Sequence, residues 1–355
     1  MTLTQQFQWR TLALPGLGRL PVKEAMSRRT PIEVLHDDLS KHPAVEAWST
    51  LRPAKVEPQS IHVLRQRQRS SLYRLLGVGL EGSSVIVKRC RKERGAIERT
   101  VHAEVLPHLS VTTPHYYGCR EEEESCWLFL EDVGDERYSD SSEEHLALAG
   151  RWLALLHTSS ADVDAAARAA SRLPDGGPAR YLEHLRSARR VLSENFSHPL
   201  LMAEELGVLE GIVSLYDQLE GRWGRVEEAC DGAPCTLVHG DFRPKNAYIR
   251  RDEMGIRLFP IDWEMAGWGP PAADLTRVDI GAYKSVIKER CPSADACAVD
   301  RLASVGQVFR YLAAINWETV RFGGEAREWL VRPMCSITVL SERLAAAVQT
   351  AGLAN

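Results

Sequence analysis

Two short polar stretches of the chain combine residue types that can act on phosphate groups. The stretch His239–Asn246 reads HGDFRPKN, and Ile261–Glu264 reads IDWE. Asp241 and Asn246 lie five residues apart, and Asp262 follows sixteen residues after Asn246. Phosphoryl transfer needs a group that orients the attacking hydroxyl and oxygen ligands for Mg²⁺. An Asp and an Asn on one tight loop, with a second Asp at the end of a nearby hairpin, meet both needs.

Short β-like runs surround these polar stretches and are expected to position them. The runs are Thr236–His239, Ala247–Ile249 and Ile256–Ile261. Upstream, the sequence VIVK places Lys88 at the end of another strand, facing the position where nucleotide phosphates would lie. An acid on the following helix is expected to hold this lysine.

The rest of the chain divides into a strand-rich part and a helical part. From Ile61 onward, the runs IHVLRQR, SLYRLLGV, SVIVKRC, YYGC and CWLFLE are typical of strands, with one helical stretch over Ala96–Leu109. After Asp140, apolar residues recur at helical spacing in five stretches: Ser142–His157, Pro178–Phe196, Ala203–Ala229, Arg301–Phe322 and Ala326–Ala351. Prolines punctuate residues 1–58 and leave room only for short helices such as Ala44–Leu51. The pattern predicts an α+β protein with two lobes.

A glycine motif, Gly77–Gly82, matches the pattern G-x-G-x-x-G. A dinucleotide-binding loop of this type must lead from a strand into a helix, whereas the residues that follow here, SSVIVKRC, read as a strand. A kinase glycine loop needs a whole strand between itself and the lysine strand, and six residues from Gly82 to Lys88 are too few. We therefore predict a hairpin turn.

The ordered motifs resemble those of the aminoglycoside phosphotransferase and choline kinase-like family of small-molecule kinases. The matching stretches are VIVK, LFLEDV, TLVHGDFRPKN, LFPIDWEMAGWGPPAADL and the closing helices, which together cover roughly residues 60–350. The resemblance implies a bilobal protein-kinase-like fold, with a small antiparallel-sheet N-lobe and a larger helical C-lobe. It also implies three parts: an N-terminal extension over residues 1–58, an N-lobe with the nucleotide-binding sheet and hinge over 59–133, and a C-lobe with the catalytic loop and acceptor site over 134–355.

The resemblance implies catalytic and metal-binding roles for the residues of the two polar stretches. Asp241 would be the catalytic base that orients the acceptor hydroxyl, and Asn246 and Asp262 would bind Mg²⁺. Arg243 stands where protein kinases carry a basic residue and would steady the transferred phosphoryl group. Asp274 would be a structural acid that braces the catalytic loop.

The resemblance also implies a nucleotide-binding set. Lys88 would contact the α- and β-phosphates of ATP or GTP, with Glu98 as its acidic partner and Glu104 as the alternative.

The hinge and the phosphate-covering turn complete this set. LFLEDV matches the hinge, so the backbones of Glu131 and Val133 would hydrogen-bond the adenine. The phosphate-covering turn falls on RQRQRSS, where Ser70 and Ser71 would offer N–H and hydroxyl donors.

Two departures from protein kinases favour a small-molecule acceptor. Gly240 replaces the arginine that pairs with a phosphorylated activation loop in regulated protein kinases, and the chain has no A-P-E segment. His239 before it is expected to organise the loop rather than carry protons.

Charge is unevenly distributed along the chain. Residues 61–95 contain nine Lys and Arg against two acids, and residues 121–144 contain eleven acids against Arg137 alone. One interpretation is a basic lobe that receives polyphosphate and an acidic rim that attracts a cationic acceptor such as an aminoglycoside. The other is ordinary solvated surface.

Length and composition exclude several classes of protein. The 355 residues suggest about two domains, and a net charge of −4 with pI ≈ 6.3 does not favour a nucleic-acid binder. No apolar run approaches the ~20 residues of a membrane span, and the first residues, MTLTQQFQWR, lack the pattern of a secretory signal. Eight cysteines without a C-x-x-C pair fit free thiols in a reducing cytoplasm.

These observations together favour an ATP- or GTP-dependent kinase that phosphorylates a hydroxyl group of a small molecule. An aminoglycoside-like acceptor is preferred, with choline, a sugar or another natural-product alcohol as alternatives. Two other classes stay open: a pseudokinase-like module that binds its ligand without turnover, and a metal-dependent hydrolase that uses His239, Asp241 and Asp262.

Overall fold

A six-stranded sheet forms the small lobe in the computed structural model, which describes residues 31–51, 57–67, 70–162, 164, 171–320, 322 and 327–354. The strands lie in the order β1-β2-β3-β4-β6-β5, and each runs antiparallel to its neighbours. Along β3, buried and half-buried residues alternate, as one-sided packing requires. The six strands are β1 (Glu33–Leu35), β2 (Ile61–Arg67), β3 (Ser70–Leu75), β4 (Val85–Arg91), β5 (Tyr116–Glu121) and β6 (Ser125–Glu131).

The glycine motif lies in the loop that joins β3 to β4. Leu75 pairs with Val85 across this hairpin, and Gly77 and Gly82 take positive φ values of 81° and 76°. The prediction of a hairpin turn is therefore confirmed.

Two elements from the predicted N-terminal extension join the small lobe. Strand β1 pairs with β2, and helix α1 (Pro43–Ser49) packs Trp48 against Phe129 of the sheet with ring centroids 5.4 Å apart. A strand of three residues is too short to show a period in the sequence, so it went unpredicted. The division of the chain at residues 58 and 133 stays a prediction.

Helix α2 (Lys92–Thr100) lies against the sheet and continues into a π-helical turn, Val101–Val105. It begins four residues before the helical stretch expected from the sequence. At Gly95 a side chain would overlap the Sγ atom of Cys126 on β6, so the glycine allows the close approach of helix and sheet.

Helices dominate the chain after residue 142, as predicted. A single helix was expected over 203–229, but the chain breaks after Glu220, because Gly221 is a poor helix former and Arg222 leaves helical geometry at φ −119°. The helices are α3 (Glu143–Asp162), α4 (Pro178–Glu194), α5 (Ala203–Glu220), α6 (Trp223–Cys230), α7 (Ile280–Arg290), α8 (Ala296–Thr319) and α9 (Arg327–Thr350).

Two short strand pairs carry the polar stretches. Strand β7 (Thr236–Val238) pairs with β10 (Gly267–Gly269), and β8 (Ala247–Asp252) pairs with β9 (Gly255–Pro260). HGDFRPKN joins β7 to β8, and IDWE lies between β9 and β10. Because β7 pairs with β10 and β8 pairs with β9, the two loops lie side by side. The predicted α+β fold with two lobes is confirmed. Within the described ranges, no helix has the length and apolar character to cross a membrane.

Candidate active site

A cavity of about 380 Å³ lies between the small sheet and the β8–β9 hairpin. Six of the predicted site residues line it: Lys88, Glu98, Glu131, Val133, Asn246 and Asp262. Its other walls are mainly apolar, with Leu72, Ile86 and Leu130 from the sheet and Tyr248 and Ile261 from the larger lobe. Lys88, Glu98 and Asp262 contact one another and form one polar end of the cavity, and Arg65, Glu131 and Arg137 line it as well. Apolar walls beside charged groups suit a purine base joined to phosphates.

Lys88 stands at the polar end of the cavity between two carboxylates. Its Nζ atom lies 2.6 Å from Oε2 of Glu98 and forms a second, shorter ion pair with Asp262. Burial on its own would lower the pKa of Lys88, but the carboxylates of Glu98 and Asp262 outweigh it and hold the pKa above the usual value. The ammonium group therefore stays charged and fixed at neutral pH.

Glu98 rather than Glu104 is the acid that contacts Lys88. The side chain of Glu98 is 1% exposed on the face of α2 that packs against the sheet. Glu104 lies in the π-helical turn and pairs with Arg172 at 2.5 Å. Sequence spacing alone left both acids as candidate partners of Lys88. A change from α-helix to π-helix alters which face of the helix a residue occupies, and this change is not visible in the sequence.

His239 holds the HGDFRPKN loop through one hydrogen bond within it and one to the residue before Asp262. The buried His239 places Nε2 at 3.0 Å from the carbonyl oxygen of Ile261, and its Nδ1 accepts from the N–H of Asp241 at 3.3 Å. Since a carbonyl oxygen can only accept, Nε2 carries the proton. His239 therefore organises the loop, as predicted.

The amide of Asn246 fixes the carboxylate of Asp241. Its Nδ2 atom donates to the backbone oxygen of Asp241 at 3.0 Å and to Oδ2 at 2.9 Å. The Oδ1 atom of Asn246 is left for another partner. The carboxylate itself is 12% exposed, so it meets solvent at the edge of the cleft.

Asp274 braces this loop from beneath. Its fully buried carboxylate accepts from the N–H groups of His239 at 2.7 Å and Gly240 at 2.9 Å. His157 contacts the same carboxylate at 3.4 Å. The sequence prediction of a structural acid at this position is confirmed.

Gly240 is required by the turn. Its φ is +74°, and a Cβ atom would overlap the carbonyl oxygen of Met265. The guanidinium of Arg180 on α4 lies 3.3 Å from where that Cβ atom would be, and donates to Met265 at 2.8 Å and Ala266 at 3.2 Å. No sequence motif marks Arg180, which joins α4 to the loop after β9 and packs beside Gly240.

Two cations flank Asp241. The Nε atom of Arg243 lies 2.8 Å from Oδ1, and Nζ of Lys245 lies 3.5 Å from Oδ2. Arg243 also stacks over the ring of Trp317 on α8, with its guanidinium carbon 5.6 Å from the ring centroid. Lys245 also lines the cavity, which its place in the sequence did not indicate.

Asp262 and Asn246, the two residues predicted to bind Mg²⁺, both line the cavity. Asp262 adopts a left-handed backbone at φ 67°, which turns its carboxylate toward Lys88. Burial alone would raise the pKa of Asp262, but the charges of Lys88 and, to a smaller extent, Lys245 outweigh burial. The pKa is therefore below its usual value, and the carboxylate is charged at neutral pH. Among the described residues no group of three or more His, Cys, Asp or Glu could hold a metal. Mg²⁺ suits such a sparse set, because it keeps several waters and binds substrate phosphates.

The hinge is tied to the larger lobe by Arg250 on β8. Arg250 pairs with Glu131 at 2.7 Å and donates to the backbone oxygen of Asp132 at 3.1 Å. Val133 is buried and lines the cavity. The segment predicted to hold the purine base is therefore fixed between the lobes.

Ser70 and Ser71 begin strand β3 and do not line the cavity. The Oγ atom of Ser70 accepts from Arg65 at 2.8 Å, and Ser71 is buried. Gln68 and Arg69, in the middle of the predicted phosphate-covering turn, lie outside the described residues.

The acidic segment 121–144 is largely neutralised by ion pairs. Arg74 holds Asp132 and Asp135, and Arg251 holds Glu136 and Glu144. Further pairs join Glu121 to Lys92, Glu122 to Arg89, Glu131 to Arg250, and Asp140 to Arg277. Paired carboxylates attract a cationic ligand weakly, so this finding favours the interpretation of the segment as ordinary surface.

Comparison with known proteins finds one matching family model and several similar solved structures. A model of the phosphotransferase enzyme family matches residues 61–282. No curated protein sequence matches the chain.

Similar solved structures include three phosphotransferases or kinases. The GDP complex of wild-type aminoglycoside 2′-phosphotransferase IIIa is 16% identical, with a TM-score of 0.55 over 84% of this chain and 97% of that chain. Macrolide 2′-phosphotransferase MphH from Brachybacterium faecium is 16% identical, with a TM-score of 0.52 over 78% and 91%. Choline kinase from Cryptosporidium parvum Iowa II is 13% identical, with a TM-score of 0.55 over 82% and 91%. Such identities show the fold alone.

Proposed function

The chain belongs to the phosphotransferase enzyme family, and on that premise we propose that it transfers the γ-phosphate of ATP or GTP to a hydroxyl group of a small molecule. One observation carries the proposal. Lys88, Asn246 and Asp262 line one cavity, and Asn246 also donates a hydrogen bond to the carboxylate of Asp241, which itself is not among the lining residues.

Asp241 would act as the base. The acceptor hydroxyl would lie beside its carboxylate, which takes the proton as the acceptor oxygen bonds to the γ-phosphorus. The bond from that phosphorus to the β–γ bridging oxygen breaks, and its electron pair leaves with the nucleoside diphosphate. Arg243, beside Asp241 and toward the helical lobe, would steady the transferred phosphoryl group.

Lys88 would contact the α- and β-phosphates, with Glu98 holding it in place. The two carboxylates around Lys88 keep it charged and ordered before nucleotide enters, so little rearrangement would be needed on binding. The backbones of Glu131 and Val133 would hydrogen-bond the purine base. Ser70 and Ser71 have no part in this proposal, because both lie in strand β3 away from the cavity.

Asn246 and Asp262 would hold Mg²⁺. When bound, the metal would offset the negative charge of the phosphates, which a neutral amide and a carboxylate cannot do. The free Oδ1 of Asn246 and the charged carboxylate of Asp262 are oxygen donors of the type that Mg²⁺ prefers.

The acceptor is proposed only as a small-molecule alcohol. The sequence favours an aminoglycoside-like acceptor, but the arginine pairs of segment 121–144 weaken its electrostatic basis. Aminoglycosides therefore enter the test beside macrolides, choline, other amino-alcohols and sugars.

We also propose that the reaction takes place in the cytoplasm. All eight cysteines are free thiols, as a reducing compartment permits.

A mass-spectrometric screen tests the proposal. Purified protein with Mg²⁺ and ATP or GTP is offered the acceptor panel, alongside Asp241→Asn and the surface control Asp217→Asn, whose carboxylate pairs with Arg189 on α4. We expect one acceptor class to gain a phosphoryl group with wild type and with Asp217→Asn, and about 10²–10⁴-fold less product with Asp241→Asn.

The screen also has outcomes that oppose the proposal. Suppose that no acceptor gains mass, but that the protein binds nucleotide with Mg²⁺ and hydrolyses ATP slowly. The kinase assignment would then stand, and the acceptor would be a compound outside the panel. Binding without any turnover would instead favour the pseudokinase-like module. Absence of nucleotide binding would contradict the kinase assignment.

A further inference from the structure

Lys245 and Arg243 lie on opposite sides of Asp241. Arg243 contacts one carboxylate oxygen and turns toward Trp317 in the helical lobe. Lys245 approaches the other oxygen and lines the nucleotide cavity together with Lys88 and Asp262. One cation therefore faces the acceptor side of the base, and the other faces the nucleotide side.

The backbone between them produces this division. Arg243 is fully extended at φ −164° and ψ 165°, and Pro244 then begins a short 3₁₀ turn that ends at Asn246. The N–H of Asn246 closes the turn on the carbonyl oxygen of Arg243 at 2.8 Å. An extended residue followed by a turn sends the side chains at 243 and 245 in different directions.

Lys245 is the less constrained of the two lysines that line the cavity. Lys88 is buried and shared between Glu98 and Asp262. The side chain of Lys245 is 49% exposed, and among the described residues Asp241 is the one carboxylate that it pairs with, at 3.5 Å. At that separation the pair lacks a direct hydrogen bond of ordinary length, so little holds the ammonium group where it is.

A nucleoside triphosphate would bring strong negative charge beside Lys245. Lys245 lines the same cavity as Asp262 and precedes Asn246 in the chain, so its charge lies close to both predicted metal ligands. The flexible four-carbon stem of lysine allows the ammonium to swing from Asp241 to a phosphate oxygen. That movement would also release Asp241 to accept a proton from the acceptor.

We propose that Lys245 is a catalytic residue, which leaves Asp241 when nucleotide binds and donates to an oxygen of the transferring γ-phosphoryl group. This proposal rests on the proposed function. Arg243 and Lys245 then bracket the group from the acceptor side and the nucleotide side, where charge develops during transfer.

Three variants test the proposal. Lys245→Met removes the charge and keeps most of the stem, and Lys245→Arg keeps the charge. Lys92→Met is the matched control, because Lys92 is 46% exposed and pairs with one carboxylate, Glu121, at 3.8 Å outside the cavity. Turnover is followed as ATP hydrolysis without acceptor, and as product formation where the screen finds an acceptor. Binding of ATP and of ADP is measured with Mg²⁺ present.

We expect Lys245→Met to lower kcat by about 10²–10³-fold, the usual effect of removing one donor to a charged transition state. ATP affinity should fall while ADP affinity stays within about twofold, since ADP lacks the γ-phosphoryl group. Lys245→Arg should recover part of kcat, and Lys92→Met should behave as wild type. Thermal unfolding of all three should match wild type.

Two results would overturn the proposal while the proposed function stands. The first is an active wild type whose kcat is unchanged by Lys245→Met. The second is an equal loss of ATP and ADP affinity without a loss of kcat, which would place Lys245 on the other phosphates. A wild-type chain that neither binds nor hydrolyses nucleotide contradicts the proposed function itself and this proposal with it.

Discussion

The Nζ atom of Lys88 lies 2.6 Å from the Oε2 atom of Glu98, inside the small lobe. The carboxylate is 1% exposed, so this pair joins β4 to α2 where water scarcely reaches. Removing one partner from such a pair leaves a buried, uncompensated charge, which commonly costs about 3–5 kcal/mol. The contact therefore makes the position of Lys88 depend on the packing of α2.

Glu98→Gln should lower kcat/KM for the nucleotide by about 10²-fold, because Lys88 loses the charge that holds it and shifts toward Asp262. Glu104→Gln, which removes the other acid considered from the sequence, should leave kcat/KM near wild type. Steady-state kinetics with varied ATP measures both. Equal effects of the two variants would contradict the role of Glu98.

Asp274→Asn should destabilise the catalytic loop. The N–H groups of His239 and Gly240 bond different oxygens of Asp274, and in asparagine one of these atoms becomes an NH₂ donor, so one buried N–H loses its acceptor. The free energy of unfolding should fall by about 1–3 kcal/mol. Urea unfolding measures it, with Asp295→Asn as the control, because Asp295 caps α8 on an exposed surface. Similar losses in both variants would refute the bracing role.

Gly240→Ala should both strain and displace the loop. The left-handed backbone alone costs an alanine about 1–2 kcal/mol, and the new Cβ atom would also push against Met265. Gly232→Ala separates the two effects, since Gly232 has φ +75° with nothing within 4 Å of its Cβ position. We expect Gly232→Ala to keep activity and Gly240→Ala to lose it. Unfolding and turnover assays on the pair decide this.

His184 should make the protein less stable in mild acid. Burial, helped by Arg180, lowers the pKa of His184 from 6.5 to about 4, and its Nδ1 accepts a hydrogen bond from Asn316 at 2.8 Å. Between pH 6.5 and 4 the histidine binds a proton in the unfolded chain but stays neutral in the folded chain. The contribution of His184 to the free energy of unfolding is therefore fully present above pH 6.5 and is lost as the pH falls toward 4. The full effect is about 3 kcal/mol.

His184→Gln should flatten this dependence, because glutamine can accept the same hydrogen bond without titrating. Urea unfolding at pH 7.5, 6 and 5 gives the slopes for wild type and variant. Parallel slopes would show that another group governs the acid sensitivity.

Local patterns in the sequence were enough to predict much of the site. The spacing within HGDFRPKN requires a tight loop, and the strands of VIVK and CWLFLE are short apolar runs with clear ends. Lys88 ends the run VIVK, Asp262 follows the run Ile256–Ile261, and Asn246 was identified from its spacing to Asp241 and from the family resemblance. Their assembly in one cavity is a property of the fold, although their roles in catalysis stay predictions.

Residues that act through distant partners could not be found in this way. Arg180 and Arg250 lie in an ordinary helix and strand, and only the packed chain shows them bonded to the loop after β9 and to the hinge. The choice between Glu98 and Glu104 depended on where the π-helical turn begins. The sequence left two interpretations of segment 121–144 open, and the ion pairs with Arg74 and Arg251 favour ordinary surface.

The two-lobe α+β plan and the resemblance to the phosphotransferase family could be predicted from the sequence, because hydrophobic period and motif spacing are local properties of the chain. The folded chain was needed to show that Glu98 holds Lys88, that arginines pair with most of the acidic segment, and that Arg243 lies over Trp317 while Lys245 lines the cavity. These contacts join side chains from separate elements, whose charges interact strongly only when folding brings them within a few ångströms and removes water from between them.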